Sequence, residues 1–518
     1  MRTETDSWLD TLKLFRHRRV VTMLFLGFSA GIPLLLIFSS LSLWLREAGV
    51  ERAVVTYFSW AALGYSFKFV WAPLVDQLPL PWLTRLLGRR RSWMLLAQFA
   101  IAASILLMAS IDPQQSDSSL TLMALAAVLL GFSSATQDIV IDAYRIESAE
   151  PELQAMMSST YIVGYRLAML TAGAGSLYLA QGFGSSSEVY NYQAWQYTYS
   201  LMAAMMIVGV VTTLVISEPQ RAAAKAYIES TREYVRFVFL FAVTVAGFIS
   251  FYVFSGGIAA QSKAQLSSVF GNTILSASLV EGLRLAGALA AAWLLSFVLV
   301  KLKVARYEMV ERTYLMPVQD FFGRYGGSFA WTLLALIGLY RISDIVLGVI
   351  SNVFYKDLGF SKSEIADVVI VFGIFMTILG GLLGGLLAAR VGVIRIMLLG
   401  GVLAAATNLL FMLLAQIGHD MFWLYLVISA DNLSAGIASA AFVAFLSSLT
   451  NVSFTAMQYA IFSSLMTLIP KSLGGYSGSM VDAMGYSSFF LLTAILGLPV
   501  LLLILVVGKR FEIRDQSV

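Results

Sequence analysis

Long apolar runs recur along nearly the whole chain, and they restrict the possible folds more than any other feature. A helix that crosses a bilayer needs about 20 mostly apolar residues. Of the 518 residues, 59% are hydrophobic and only 12% are charged, which excludes a soluble globular fold. We therefore predict an all-α polytopic membrane protein with about fourteen spanning helices, at residues 20–45, 53–75, 92–111, 119–145, 153–180, 195–217, 235–258, 273–300, 328–356, 364–389, 394–416, 420–447, 454–482 and 486–508.

The predicted helices fall into two groups of six, separated by a segment of a different kind. A cytoplasmic segment, 1–19, precedes a six-helix bundle at 20–217. Residues 218–327 form a linker with two extra transmembrane helices and a polar cytoplasmic loop from Lys301 to Gly327. The second six-helix bundle occupies 328–508, and residues 509–518 form a cytoplasmic tail.

The residue types present exclude several classes of chemistry. The chain has no cysteine and only two histidines, His17 and His419, so neither a thiolate site nor a histidine cluster for a metal is expected. We expect no cofactor and no catalytic site. The net charge of +4 does not indicate nucleic-acid binding, because the basic residues fall at helix ends.

Basic residues are distributed unequally between the two sets of loops, which predicts the orientation in the membrane. One set carries most of them, and the other carries only Arg46, Arg52, Lys263, Lys356 and Lys362. The positive-inside rule places the basic set in the cytoplasm, together with both termini. The first apolar run follows a basic segment, as in a signal peptide, but no convincing cleavage site follows it, so we predict an uncleaved helix.

The two six-helix groups resemble each other as a parallel repeat. The sequence WLREAGV at 44–50 follows the first helix of one group, and YKDLGF at 355–360 follows the first helix of the other. Ser134–Asp138 in one group similarly matches Ser429–Asn432 in the other. Such duplication of six-helix halves is the arrangement of the major facilitator superfamily.

A loop between the second and third helices resembles the cytoplasmic loop signature of that superfamily. Asp76 is followed, after an insertion that contains Pro79 and Pro81, by Gly88 and three arginines. We predict gating or salt-bridge roles for these charged residues, which are Asp76, Arg89, Arg90 and Arg91. The alternative is an ordinary positive-inside loop, in which arginines are expected in any case.

Two carboxylates in the fourth helix are candidates for proton coupling. Asp138 and Asp142 are four residues apart, which puts them on one face of the helix, one turn apart. Like charges this close disfavour full ionisation, so one of the pair could carry a proton near neutral pH. The alternative is a static lock that pairs them with Lys68 and Arg145 at the cytoplasmic end. Asp142 lies nearer that end, so Asp138 is the better proton candidate.

Other polar residues within the predicted helices are candidates for substrate binding. Arg166 lies about halfway along the fifth helix and needs an anion, either Asp138 or a substrate carboxylate. Arg341 and Asp344 are three residues apart and could pair with each other. The neutral and acidic groups that we predict to line a polar path with them are Gln137, Asp431, Asn432 and Gln458.

Two further features are predicted to be structural. Glu281 and Arg284, like Arg341 and Asp344, are three residues apart. They lie within one of the extra helices, where a structural or assembly role is favoured. The glycines in GGLLGG at 380–385 allow close approach of neighbouring helices, as small residues do in membranes, and do not form a phosphate-binding loop.

Several sequence blocks, taken in order, resemble the AmpG-type muropeptide permeases, a branch of the major facilitator superfamily. In the first half they are GFSAGIP at 27–33, FKFVWAPLVD at 67–76, GRRRSW at 88–93, SSATQDIVIDAY at 133–144 and GYRL at 164–167. In the second half they are Asp344, FYKDLGFS at 354–361, FTAMQYA at 454–460 and SGSMVDAMG at 477–485. The resemblance covers most of the chain and is weakest from about 218 to 327.

This resemblance implies a Gram-negative inner-membrane symporter. Its substrates would be N-acetylglucosaminyl-1,6-anhydro-N-acetylmuramyl sugars, with or without a stem peptide, carried inward with protons. It implies a role in cell-wall recycling and, indirectly, in beta-lactamase induction. The expected partners are an anhydro-muropeptide, protons and membrane lipids, with a functional monomer.

Three alternatives to muropeptide import stay open on the sequence. A proton-driven drug exporter has the same fold, and related acetyl-CoA carriers share parts of the pattern. A membrane-embedded enzyme acting on lipid-linked sugars would need a catalytic group, and only an aspartate site is available to it.

Overall fold

Helices account for all the regular structure in the part of the chain that the structure describes. This computed structural model describes residues 8–51, 58, 65, 67–186, 189–219, 231–271, 273–304, 306–474 and 476–515. Within these residues, twelve helices are long and apolar enough to cross a membrane. Of the other two predicted spans, 53–75 lies about half outside the described residues, and 153–180 is helical but less apolar. The polytopic all-α fold with about fourteen helices is therefore confirmed.

The first half contains five helices that the structure describes along their length. They are α1 (Arg18–Glu47), α2 (Arg89–Ala109), α3 (Asp117–Ser148), α4 (151–182) and α5 (Tyr192–Val215). Local signals set where they begin. Ser116 caps α3 by accepting a hydrogen bond from the backbone N–H of Ser119, Pro151 occupies the first turn of α4, and Asn191 caps α5.

The segment between the halves contains more helix than the sequence predicts. It forms α6 (Thr231–Phe254), α7 (Gly256–Phe270), α8 (Thr273–Lys301) and a further helix, α9 (307–325). The short helix α7 and the helix α9 replace regions that we predicted as connections. In α9, burial of Pro317 and Phe321 on one face and an ion pair of 2.9 Å between Arg324 and Asp320 stabilise helix in a polar stretch.

The paired charges of the extra helices contact each other as their spacing predicts. Arg284 lies 3.0 Å from Glu281, and Lys263 on α7 lies 2.6 Å from the same carboxylate. The guanidinium of Arg284 also stacks 4.0 Å from the ring centroid of Tyr252. These contacts connect α6, α7 and α8, which is the arrangement that a structural role requires.

The second half contains six helices. They are α10 (Gly327–Asp357), α11 (Ile365–Val391), α12 (Val393–Ile417), α13 (Met421–Leu449), α14 (Thr455–Gly474) and α15 (Ser477–Asp515). The last of these changes direction at Gly485, whose φ of +76° suits a residue without a side chain. That bend lies between the predicted spans 454–482 and 486–508.

The chain divides into two compact units. One contains the described residues of Met1–Val75, Pro79–Arg221 and Trp331–Val518, so both six-helix groups belong to it. The other contains Asp76–Leu78 and the described residues of Ala222–Ala330. The candidate site described below lies within the first unit.

Glycines allow very close helix crossings in each half. A Cβ atom at Gly27, Gly31 or Gly164 would clash with backbone carbonyl groups across the contact between α1 and α4. In the second half, a Cβ at Gly380 would clash with the carbonyl of Leu433, and one at Gly384 would lie 2.6 Å from the Cα of Ile437. The predicted role of the GGLLGG segment in close helix approach is thus confirmed.

We predict that Gly164→Ala lowers the melting temperature of the purified protein, because its methyl group would clash with the rigid backbone at Leu24. Overpacking of this kind costs about 1–3 kcal/mol. The matched control is Gly348→Ala in α10, where no atom lies within 4 Å of the added methyl. Removing a helical glycine there should raise stability slightly. Equal melting temperatures for the two variants would contradict the packing described.

Candidate functional site

The first helix of each half is interrupted near its middle, and these interruptions position the candidate site. In α1 the helix breaks at Phe38, where φ is −97° and ψ is −91°. In α10 it breaks between Leu339 and Ile342, and Arg341 has a φ of −100° and a ψ of 14°. Discontinuous helices of this kind surround substrate sites in many transporters.

A cavity of about 340 Å³, the central cavity, lies between the two halves. The first half contributes one of its walls, and α13 and α14 of the second half contribute the other. Its lining combines four tyrosines with charged and apolar side chains: Leu34, Phe38, Tyr65, Lys68, Asp138, Asp142, Tyr161, Tyr165, Val443, Tyr459, Ser463, Met466, Thr467 and Lys471. Both proton-coupling candidates therefore face one cavity.

Asp138 is the carboxylate whose surroundings are incompletely satisfied. Its Oδ1 atom is buried and has no hydrogen-bond partner among the described residues. Lys68 lies nearby but directs its ammonium to Asp142, at 3.7 Å. Tyr161 donates a hydrogen bond to the carboxylate, but a buried carboxylate with one oxygen unsatisfied is costly when ionised, so this position favours a group that can be neutralised.

Asp142 belongs instead to a network around Arg145, which is fully buried. The guanidinium of Arg145 lies 3.3 Å from Asp142 and 5.2 Å from the ring centroid of Tyr459. It also donates hydrogen bonds to Ser158, at 3.1 Å, and to Ser447 of the second half, at 2.7 Å. Arg145 thereby connects the two halves at one end of the central cavity.

This geometry separates the two carboxylates of α3. The pairing foreseen as a static lock is present for Lys68, Asp142 and Arg145. Asp138 is not part of these ion pairs. The structure therefore places Asp138 one turn deeper in the cavity, outside the lock.

Further contacts close the same end of the cavity. The hydroxyl of Ser159 on α4 donates a hydrogen bond of 2.7 Å to the carbonyl oxygen of Gly381 on α11. A Cβ atom at Gly385 would clash with the side chain of Ser159 and lie 3.1 Å from the carbonyl oxygen of Ala155. Gly381 and Gly385 thus contact the first half, whereas the adjacent Gly380 and Gly384 pack within the second half.

Arg166 lies half-buried on α4 without a carboxylate partner among the described residues. Its one hydrogen bond there is to the sulfur of Met169, at 3.6 Å. Sulfur is a weak acceptor, so the charge remains largely uncompensated. The guanidinium is also close enough to Arg341 of the second half for their like charges to interact.

The second half brings its predicted polar residues together in part. Arg341 lies 3.5 Å from Asp344, as their spacing predicts, and donates a hydrogen bond of 3.0 Å to Ser439. Asp431 accepts a hydrogen bond of 3.3 Å from Thr407 and is close enough to Asp344 for their charges to interact. Asn432, on the neighbouring position of α13, accepts from Thr377 at 2.9 Å.

Two neutral candidates lie in packed positions and do not line the central cavity. Gln137 is fully buried and accepts a hydrogen bond of 3.2 Å from Ser29. Gln458 is buried and accepts a hydrogen bond of 2.8 Å from the backbone N–H of Asn451, which lies just before α14. Their amides therefore stabilise helix contacts, and periodicity alone could not distinguish this from a cavity position.

The arginine loop, which contains Arg89, Arg90 and Arg91, connects several helices of the first half. Arg90 is fully buried and contacts both carboxylate oxygens of Glu147, at 2.6 and 3.0 Å. Arg91 donates to the carbonyl oxygens of Thr213 and Leu214 at the end of α5. Arg89 begins α2, and Asp76 is buried in the short helix Ala72–Gln77.

Several site residues have no counterpart in the sequence-based prediction. Glu147, the partner of Arg90, and the tyrosines of the cavity were not singled out, nor was Lys471. A signal was available for part of this set, because Tyr459, Ser463, Thr467 and Lys471 recur at intervals of four residues. Within the described residues, no group of three or more histidine, cysteine, aspartate or glutamate side chains could hold a metal.

Comparison with known proteins gives a consistent result. A family model described as Major Facilitator Superfamily matches residues 23–318 and 325–517. A Rickettsia conorii protein designated AmpG 4 is 29% identical over 501 residues, covering 97% of this chain and 99% of the relative. The anhydromuropeptide permease of Escherichia coli (strain K12) is 28% identical over 502 residues, covering 97% of this chain and 82% of the permease.

Solved structures agree at the level of the fold. The proton:xylose symporter XylE bound to 6-bromo-6-deoxy-D-glucose matches with a TM-score of 0.57 at 12% identity, over 95% of this chain and 94% of that chain. The transporter FucP in the outward conformation matches with a TM-score of 0.56 at 11% identity, over 94% and 97%. The chain belongs to the Major Facilitator Superfamily and is a multi-pass membrane transporter of the AmpG type, not an enzyme.

Proposed function

We propose that this chain is a permease of the Gram-negative inner membrane that imports peptidoglycan turnover products. Its substrates are N-acetylglucosaminyl-1,6-anhydro-N-acetylmuramyl sugars and muropeptides, carried from periplasm to cytoplasm with protons. Similarity to the Escherichia coli anhydromuropeptide permease over 97% of this chain supports the substrate class. Import serves cell-wall recycling and, indirectly, beta-lactamase induction.

The uncompensated charge of Arg166 carries the proposal. An arginine does not deprotonate at physiological pH, so within the membrane it needs an anion. Its one described hydrogen bond is to a methionine sulfur, and Arg341 adds a second positive charge nearby from the other half. A substrate carboxylate beside Arg166 would satisfy its guanidinium, and Arg341, which is already paired with Asp344, would add its attraction to the same anion. The lactyl group of an anhydro-muramyl sugar supplies such a carboxylate, and in a muropeptide, where that group is amide-bonded, a carboxylate of the peptide takes its place.

Asp138 is the proposed proton carrier. Its buried Oδ1 atom has no hydrogen-bond partner among the described residues, and the neighbouring Lys68 pairs with Asp142. Protonation would remove a charge from the cavity, so that the loaded carrier can close without a buried net charge. The proton then binds in the central cavity, and the substrate anion binds beside it at Arg166, the neighbour of the cavity-lining Tyr165.

Alternating access requires the contacts at the Arg145 end to separate. The positive-inside rule puts this end in the cytoplasm, because the arginine loop at Arg89, Arg90 and Arg91 lies beside it. The hydrogen bonds from Arg145 to Ser447 and from Ser159 to Gly381 support a state closed toward the cytoplasm. Rocking of the halves would break these contacts and release the substrate inward.

The chain acts as a monomer in this proposal, with both termini in the cytoplasm and lipid around the helices. Because each half supplies one of the two arginines, Arg166 or Arg341, a single chain contains the whole anion site. No cofactor takes part. The driving force is the proton gradient across the inner membrane.

The alternatives predict different fluxes. A drug exporter of the same fold would move apolar or cationic compounds outward, and the uncompensated guanidinium of Arg166 does not suit a cation. An acetyl-CoA carrier would use the arginines for phosphates, so acetyl-CoA would compete with sugar uptake.

We predict that the purified protein in liposomes accumulates a labelled anhydro-muramyl disaccharide when an inward proton gradient is applied. Asp138→Asn should abolish gradient-driven accumulation, because the carboxylate that binds the proton is lost. Arg166→Ala should abolish uptake with or without a gradient, because the substrate anion loses its partner. Matched controls are Asp117→Asn, at the exposed start of the same helix, and Arg85→Ala, on an exposed loop helix.

Full accumulation by Asp138→Asn would exclude this residue as the proton carrier. Absence of uptake by folded wild-type protein would exclude the substrate class, and acetyl-CoA and drugs would then be tested. Efflux under the same gradient would favour the exporter.

We also predict that Gly385→Val shifts the carrier away from the state closed at the Arg145 end. The added side chain would clash with Ser159, and overpacking costs about 1–3 kcal/mol. A cysteine at the buried position Ala155 reports this shift, because the native chain has no cysteine. Its labelling by a membrane-impermeant maleimide from the cytoplasmic side should rise about tenfold or more.

Gly348→Val serves as the control, since no atom lies within 4 Å of a Cβ there. It should leave the labelling of the cysteine at position 155 unchanged. An unchanged labelling rate in Gly385→Val would show that this contact does not hold the end closed.

A further inference from the structure

A polar stripe runs along the face of α14 that lines the central cavity. Tyr459, Ser463, Thr467 and Lys471 follow one another at intervals of four residues, and all four line the cavity. This spacing places them on one face of the helix. The stripe spans about 18 Å at the rise of an α-helix.

The two ends of the stripe differ in their surroundings. Tyr459 lies at the closed end, where its ring centroid is 5.2 Å from the guanidinium carbon of Arg145. Lys471 lies three turns away, in the last turn of α14, and its side chain is exposed. The stripe therefore leads from the closed end of the cavity toward its opposite end.

Lys471 has no ion pair or hydrogen bond among the described residues, although it lines the same cavity as two carboxylates. Those carboxylates, Asp138 and Asp142, belong to the end near Arg145, and Asp142 is paired with Lys68 there. The stripe thus ends at the ammonium group of Lys471, which has no fixed counter-charge among the described residues that line the cavity. This ammonium group can bind an anion that enters the cavity.

A lysine at a helix end can also serve as an ordinary interfacial residue that reaches toward lipid headgroups. Lys471 is the last residue of the apolar span Val452–Lys471, which suits that role. Its position on the cavity-lining face, in register with Ser463 and Thr467, favours contact with the solute instead.

We propose that Lys471 recognises a carboxylate of the peptide on peptide-bearing substrates, and so sets the preference for muropeptides over the sugar alone. This inference rests on the proposed function. A sugar without peptide ends in its lactyl carboxylate. In a muropeptide that group is amide-bonded, and the peptide extends the molecule by several bonds and carries carboxylates of its own, one for Arg166 and one beyond it. With the sugar near Arg166 and Asp138, the peptide follows Ser463 and Thr467, whose hydroxyl groups line its path.

The test compares uptake of two probes by the same protein in liposomes. One probe is the anhydro-muramyl disaccharide, and the other is the same disaccharide bearing a tripeptide. We expect Lys471→Met to raise KM for the peptide-bearing probe about fivefold, as loss of a partly exposed ion pair would. KM for the disaccharide should stay unchanged. Lys471→Arg should restore the wild-type KM for the peptide-bearing probe.

Lys356→Met provides the matched control, since Lys356 is an exposed lysine in the last turn of α10 outside the cavity lining. It should change neither KM. An equal change for both probes in Lys471→Met, or no change for either, would overturn the assignment. Failure of the wild-type protein to transport either probe would instead exclude the proposed function, and this inference with it.

Discussion

The cost of placing charge inside a membrane determines the arrangement of this transporter. A charged side chain at the bilayer centre costs at least ~2.5 kcal/mol, so it remains only where a partner or a cavity compensates it. Arg145 is compensated within the protein by Asp142, Ser158 and Ser447. Arg166 and Asp138 are not compensated in this way, and we therefore propose that a solute acts at Arg166 and a proton at Asp138.

The same network also sets which end of the cavity is closed. Arg145 donates to Ser447 of the other half, so the charge that stabilises α3 also connects the two halves. Glycines make this contact close. Gly384 and Gly385 are adjacent in sequence, yet the first packs against Ile437 within its own half and the second against Ser159 across the interface. One short segment thus contributes both to the bundle and to the closed end.

Much of this architecture could be predicted from the sequence, because length and hydropathy determine spanning helices. The depth of Asp138 along its helix also predicted that Asp142, and not Asp138, lies in the ion-pair network, and the structure pairs Asp142 with Lys68. The role of Asp138 in proton coupling stays a prediction. Side-chain direction could not be predicted. Gln137 and Gln458 lie at suitable depths but bind Ser29 and the backbone of Asn451.

Other features depend on tertiary contacts that a single sequence does not contain. The helix α9 forms in a polar stretch because burial of Phe321 and the ion pair between Arg324 and Asp320 stabilise it. The stripe that ends at Lys471 has a regular period, but Ser463 and Thr467 are equally common in helix packing. Only the cavity shows which face of α14 it occupies.

The central claim is that the guanidinium of Arg166 binds the carboxylate of the substrate, and a binding measurement tests it most directly. Calorimetry on the purified protein would compare the anhydro-muramyl disaccharide with its uncharged methyl ester. We predict that the wild-type protein binds the acid about tenfold or more tightly than the ester, as a charged hydrogen bond would require, and that Arg166→Ala binds both equally weakly. The same preference for the acid in Arg166→Ala would contradict the account.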